Sequence, residues 1–209
     1  MFRNRCGLGQ VLGISKNKEV GLLSQHTDIG KCVSQKCNLL IVHPDMAYGG
    51  AERQIVNLVG GLSKTGSYQI FVALYECSGK LLNQISQISE VQVIDLEKRK
   101  LNYLKLILRL RKITRQKDID VVYSFLIGPN ILVGLTTLIT TIDRVVWGNR
   151  VSEFKPFQFG YKGWLAGLLS RCLSHRIDAI ISNSWVGLET LKQRDILANE
   201  TTIIANGID

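Results

Sequence analysis

Only three prolines occur in 209 residues, and none sits in a Gly/Ser-rich stretch that would read as a linker. Composition therefore offers no internal domain break. Long apolar runs are missing too: the longest weakly polar one, Ile131 to Ile142, falls well below the ~20 residues that a membrane-spanning helix requires. The five cysteines (Cys6, Cys32, Cys37, Cys77, Cys172) are odd in number and irregular in spacing. They match neither a disulfide framework nor a zinc pattern, and the expectation is reduced thiols in a cytoplasmic protein. There is no G-x-S-x-G elbow, no H-E-x-x-H helix and no Walker lysine. His26, His43 and His175 are too scattered for a metal cage and are expected to be structural or superficial. The N-terminus starts basic, but its apolar part is short, glycine-broken and without a small-residue cleavage site, unlike a signal peptide.

Negative charge is absent from one segment. Of the 26 Lys and Arg, nine lie between Lys98 and Lys117 with no acidic residue among them, and the other 17 are matched by 17 Asp and Glu. The net charge of +9 is thus a local property. Helical spacing puts Lys105, Arg109 and Lys112 on one stripe, while Leu101, Leu104, Ile107 and Leu108 are left to face a core. Two readings stay open: a patch that sits on anionic lipid, or an ordinary solvated helix face. Nucleic acid fits less well, because no aromatic platform accompanies the charge.

What the chain has is alternation. Strand patterns at Leu39–His43, Gln69–Tyr75, Val91–Leu96, Val121–Ser124, Arg144–Trp147, Ala179–Ser182 and Thr202–Ala205 alternate with helical ones. The helical patterns are 51–64, 81–88, 101–116, 130–140, 161–176 and 184–193. Strict alternation implies right-handed crossovers and a parallel sheet flanked by helices, a Rossmann-like α/β architecture. Continuous apolar strands such as "VVYSF" suit burial on both faces. Residues 38–209 read as one domain behind a loosely ordered leader, residues 1–37. The leader's "GLGQVLG" resembles a dinucleotide-binding glycine pattern but has no strand before it.

In such sheets ligands bind beyond the carboxyl ends of the strands, so the loops there hold the candidate chemistry. After the first strand comes "HPDMAYGGAER". Pro44 ends the strand, and Gly49-Gly50 is expected to turn the backbone with positive φ, letting amides at the following helix N-terminus approach an anion. A purely geometric role for the two glycines fits the same residues equally well. Glu52 falls in the first helical turn, where an acid suits the helix dipole. After the fifth strand, "WGNRVSEF" groups Asn149 and Arg150 with Ser152 and Glu153; Arg150 suits a phosphate or carboxylate, or a surface ion pair. Ser184 reads as a helix N-cap.

Taken together, "NLLIVHPDMAYGGAERQIVNLVGGL", "DIDVVYSFLIGPNILVGL", "IISNSWVGLETL" and the terminal "IIANGID" resemble the N-terminal half of glycosyltransferase family four, whose GT-B architecture opposes two Rossmann-like domains. The resemblance implies retaining transfer of a sugar from a nucleotide-sugar co-substrate to a saccharide or lipid-linked acceptor, with no metal or other cofactor, as in polysaccharide or glycoconjugate synthesis. It implies that Gly49, Gly50, Asn206 and Gly207 line the interdomain cleft near the donor phosphates, and that Glu52, Asn149 and Arg150 face the acceptor. Many relatives carry a histidine after the fourth strand, where this chain has Tyr123 to Phe125. The donor-binding domain should begin where the sequence stops at Asp209. The expectation is a fragment or one part of a split enzyme, with a non-catalytic scaffold as the alternative.

Overall fold

A computed structural model describes residues 36–98, 102–150 and 160–205. Seven strands form one sheet, all parallel, in the order β3-β2-β1-β4-β5-β6-β7. They are β1 (Cys37–His43), β2 (Tyr68–Leu74), β3 (Val91–Asp95), β4 (Val121–Phe125), β5 (Arg144–Asn149), β6 (Ala179–Ser182) and β7 (Glu200–Ile203). Six helices connect them: α1 (Gly50–Lys64), α2 (Leu82–Ser86), α3 (Tyr103–Gln116), α4 (Ile127–Thr136), α5 (Gly160–Ser174) and α6 (Trp185–Lys192). Each expected strand and helix is present, β6 with the bounds read from sequence and the others with one or both ends shifted. β1 takes in Cys37, the last residue of the expected leader, and β7 begins two residues before the Thr202 read from sequence.

Side-chain alternation along the strands feeds two cores. Leu39, Ile41, Tyr123 and Phe125 pack on one face with Ile55 and Val59 of α1 and Ile85 of α2. Leu40, Val42, Val122 and Trp147 pack on the other with Leu106 and Leu110 of α3, Leu132 of α4 and Leu173 of α5. Burying each such aliphatic side chain contributes about 1.5–3 kcal/mol. Gly134 lets α4 lie this close to the sheet, since a Cβ there would stand 2.9 Å from the Trp147 ring and 3.1 Å from Leu173.

Two expectations need correcting. On α3 the core side is Leu106, Leu110, Ile113 and Thr114, while Leu104 and Leu108 are exposed. The helix's leucines span more than one face, and the docking angle that tertiary packing chooses decides which of them is covered. Cys37 is disulfide-bonded, whereas Cys77 and Cys172 are free thiols. Pairing depends on proximity in space, which irregular sequence spacing does not reveal.

Candidate functional site

The strand order reverses direction between β1 and β4, so the connections leave their carboxyl ends on opposite sides and open a crevice there. The first wall is the β1–α1 loop. Its backbone is pinned to the β2–α2 loop: Met46 N–H donates to the Ser78 carbonyl (2.8 Å) and Leu81 N–H to the Met46 carbonyl (3.0 Å). Gly79 makes this possible. Its φ is +110°, and a Cβ there would lie 2.0 Å from the Met46 carbonyl carbon. The Asp45 side chain accepts from Ala47 N–H at 2.8 Å, tightening the loop further.

Gly49 is the N-cap of α1, with φ −143° and ψ 178°. This is extended backbone, so the expected positive φ is not what the glycine supplies. What it supplies is space: a Cβ would stand 2.4 Å from Glu52 Oε2. Glu52 folds back over the helix start, and its Oε1 lies 3.1 Å from Nε2 of His43, which is fully buried. The turn therefore carries an anion of its own where the helix dipole favours one. A Cβ on Gly50 would meet nothing within 4 Å, so the approach to the first-turn amides is open on that side.

His43, expected to be a bland structural residue, is central to this wall. Burial pushes its pKa below the ordinary value of 6.5, an effect that Glu52 and Asp45 oppose only in part. With Nε2–H donating to Glu52, Nδ1 is a buried acceptor with no partner among the described residues. The Phe125 ring stands edge-on at 6.2 Å between centroids. The signal available in the sequence was position alone, a histidine as the last residue of the first strand.

The second wall comes from β4 and β5. Phe125 lies 4.3 Å from the Tyr123 ring, and Gly148, its register partner on β5, leaves room for both; a Cβ on Gly148 would come within 3.3 Å of either ring. Arg150 follows β5 on this side. Its guanidinium sits 5.2 Å from the Phe125 ring centroid and hydrogen-bonds Tyr123, whose hydroxyl burial holds above its ordinary pKa. The β4–α4 turn is strained: Leu126 has φ 72° and ψ 161°, a region that side chains avoid at a cost of about 1–3 kcal/mol. Asn130 holds that turn. Its amide meets Ser124 Oγ at 2.7 Å and, with its nitrogen facing the turn, donates to the carbonyls of Ser124 (3.0 Å) and Leu126 (3.2 Å).

The residues singled out from sequence therefore separate. Gly49, Gly50 and Glu52 stand at the start of α1, and Arg150 lies over the Phe125 ring, which packs on the same side of the sheet as α1. Asn149, one residue from Arg150, points to the other side and donates to the Gly187 carbonyl (3.2 Å) and Ser182 Oγ (3.5 Å). Ser184 caps α6 through Gly187 N–H, as read. Lys105 and Lys112 are exposed on α3, far along the chain from the crevice loops. Arg109 turns back instead, donating to Glu97 Oε2 (3.2 Å) and the Asp95 carbonyl (2.8 Å). Asn206 and Gly207, like Ser152 and Glu153, lie outside the described residues.

Beside Asn149 a cavity of about 40 Å³ lies between Trp147, Ser170, Ile180 and Leu191. That is room for a water or two and far below the ~300 Å³ of a ligand pocket. Among the described residues no three of His, Cys, Asp and Glu gather where they could hold a metal. No described helix is long and apolar enough to cross a membrane.

Residues 48–209 match the family model described as Glycosyltransferase Family 4. No curated protein matches the sequence. Among solved structures, Anabaena Alr3699/HepE in complex with UDP superimposes with a TM-score of 0.63 at 17% identity, over 82% of this chain and 44% of that one. The same Anabaena protein with UDP and glucose gives 0.62 at 16% identity, over 83% and 45%. A glycosyltransferase from Rickettsia africae ESF-5 gives 0.57 at 14% identity, over 83% and 44%. The chain thus spans less than half the length of these neighbours, and at such identity they establish the fold.

Proposed function

Since the chain belongs to glycosyltransferase family 4, we propose that it forms the acceptor-side half of a GT-B enzyme. The enzyme transfers a sugar, with retention of configuration, from a nucleotide-sugar to a saccharide or lipid-linked acceptor, in polysaccharide or glycoconjugate synthesis. The observation that carries this reading is the crevice at the β1/β4 switch point, walled by the Gly49–Glu52 turn and by Arg150. UDP and glucose in the Anabaena neighbour support a nucleotide-sugar donor.

The two walls have different tasks. Arg150, laid on Phe125, presents its guanidinium to a polar or anionic group of the acceptor and fixes its position. The α1 amides at Gly50 and Ala51 supply donors to the donor phosphates from the opposite wall. Glu52, bound to His43 and with its side chain 14% exposed, accepts a hydroxyl of the acceptor sugar and orients it.

The test is UDP release from UDP-glucose and other UDP-sugars in the presence of saccharide acceptors. The 209-residue chain alone is expected to release none above background, and the chain joined to a donor-binding half to release it in an acceptor-dependent way. Turnover at enzyme-like rates by the 209-residue chain alone would overturn the assignment of this half to the acceptor.

A further inference from the structure

α3, α4 and α5 lie side by side on one face of the sheet, α4 touching both neighbours. Their sequences, "YLKLILRLRKITRQ", "IGPNILVGLT" and "GYKGWLAGLLSRCLS", contain no Asp or Glu. α5 is dressed unusually. Of its buried residues Gly163, Ser170 and Ser174 are small, with only Leu173 large, while Tyr161, Trp164, Leu165 and Leu168 are 76%, 59%, 44% and 43% exposed. Offsets of three, four and seven residues place these four on a single stripe. α3 repeats the pattern, with Leu104 and Leu108 exposed at 64% and 48% and the exposed cations Lys105, Lys112 and Arg115 around them.

Both stripes point away from the same sheet face, so they share one side of the molecule. Helices of a parallel sheet run antiparallel to its strands. The N-terminal ends of the stripes, at Leu104 and Tyr161, therefore lie towards the carboxyl edge on which the crevice opens.

A helix apolar on both sides needs a second cover. A second copy of this face is a poor one, because two-fold pairing of α3–α4–α5 would set cations against cations with no carboxylate on these three helices of either copy. An anionic bilayer meets both demands at once: its headgroup boundary takes Trp and Leu, and its phosphates take Lys and Arg. We propose that the outer face of α3–α4–α5 docks on an anionic membrane surface, with the α5 stripe and the two α3 leucines entering the headgroup boundary. If the transfer reading also holds, docking brings the crevice to the level of a lipid-linked acceptor. Docking itself does not rest on that reading.

The experiment is flotation of the 209-residue chain with vesicles of equimolar phosphatidylglycerol and phosphatidylcholine, and with phosphatidylcholine alone. Binding is expected only to the first. Lys105→Glu with Lys112→Glu should lower it at least about 30-fold, roughly fivefold for each lost cation before the repulsion of the two added carboxylates. Lys64→Glu with Lys80→Glu, the same charge change on exposed lysines of the α1–α2 side, should leave it within about twofold. Trp164→Ser with Leu168→Ser should weaken binding even in high salt, and unchanged circular dichroism melts keep these exposed variants interpretable. No binding to the anionic vesicles, or equal losses from both lysine pairs, overturns the proposal. So does a shift in oligomeric state on Trp164→Ser/Leu168→Ser with vesicle binding intact, which would make the face a protein interface.

Discussion

Asn149 and Arg150 are neighbours in the chain and belong to different regions of the molecule. On the α4–α6 side of the carboxyl edge, the polar groups next to Asn149 close on one another: Asn130 with Ser124, Asn149 with Gly187 and Ser182, Ser182 with the Ser184 carbonyl at 3.0 Å. Of the unpartnered atoms on that face, Trp147 Nε1 and Tyr75 Oη are buried in its apolar core. On the α1 side, His43 keeps a buried acceptor unused and the first turn of α1 is open above Gly50. A polar network that satisfies itself stabilises the fold and offers nothing to a ligand. One with capacity to spare, beside a crevice, is where binding can be built.

The largest expected effect comes from releasing the open side from its anchor. Gly79→Ala forces a Cβ into the Met46 backbone at φ +110° and is expected to cost about 3 kcal/mol or more in urea unfolding. A cost below about 1 kcal/mol would mean that the β1–α1 loop is not held there. Next is a contrast between the two regions. Asn130→Ala should cost about 1–3 kcal/mol of stability, because its partners at the β4–α4 turn are left buried. Arg150→Ala should cost less than ~1 kcal/mol of stability. In the chain joined to a donor-binding half, the same change should lower acceptor kcat/KM roughly 10–100-fold. The reverse pattern would exchange the roles assigned to the two sides.

The smallest effect is titration of His43. Its folded pKa lies below 6.5, so below pH 6.5 the unfolded chain takes up a proton that the folded chain refuses. Stability is thus full above that pH and falls as pH drops, with a slope of at most ~1.4 kcal/mol per pH unit. His43→Gln should flatten this slope in unfolding titrations between about pH 7 and pH 5.

The sheet was legible because β-branched runs such as "LLIV", "VVYSF" and "AIIS" recur at helix-length intervals, and burial on both faces leaves such runs little alternative. The Gly49–Glu52 turn was legible as a place and not as a geometry. Gly49 is needed for the room that the Glu52 carboxylate takes, which depends on His43 drawing that carboxylate back, and no local pattern encodes it. Asn149 and Arg150 could not be separated in sequence because their opposite orientations follow from the β5 pleat continuing through both. Leu104 and Leu108 were misplaced for a related reason: residue type states that a leucine prefers cover, whereas packing decides which leucine receives it.

The central place of β1 has a consequence for synthesis on the ribosome. One edge of β1 pairs β2, which follows within the next few dozen residues, but the other pairs β4, which starts at Val121, 78 residues after β1 ends at His43. At roughly 5–20 residues per second, the nascent chain carries an unpaired "CNLLIVH" edge for about 4–16 s. Such an edge is a template for pairing with another chain. Slowing elongation between His43 and Val121 prolongs that exposure, so holdase chaperones and translation rate in this interval bear directly on the yield of native protein.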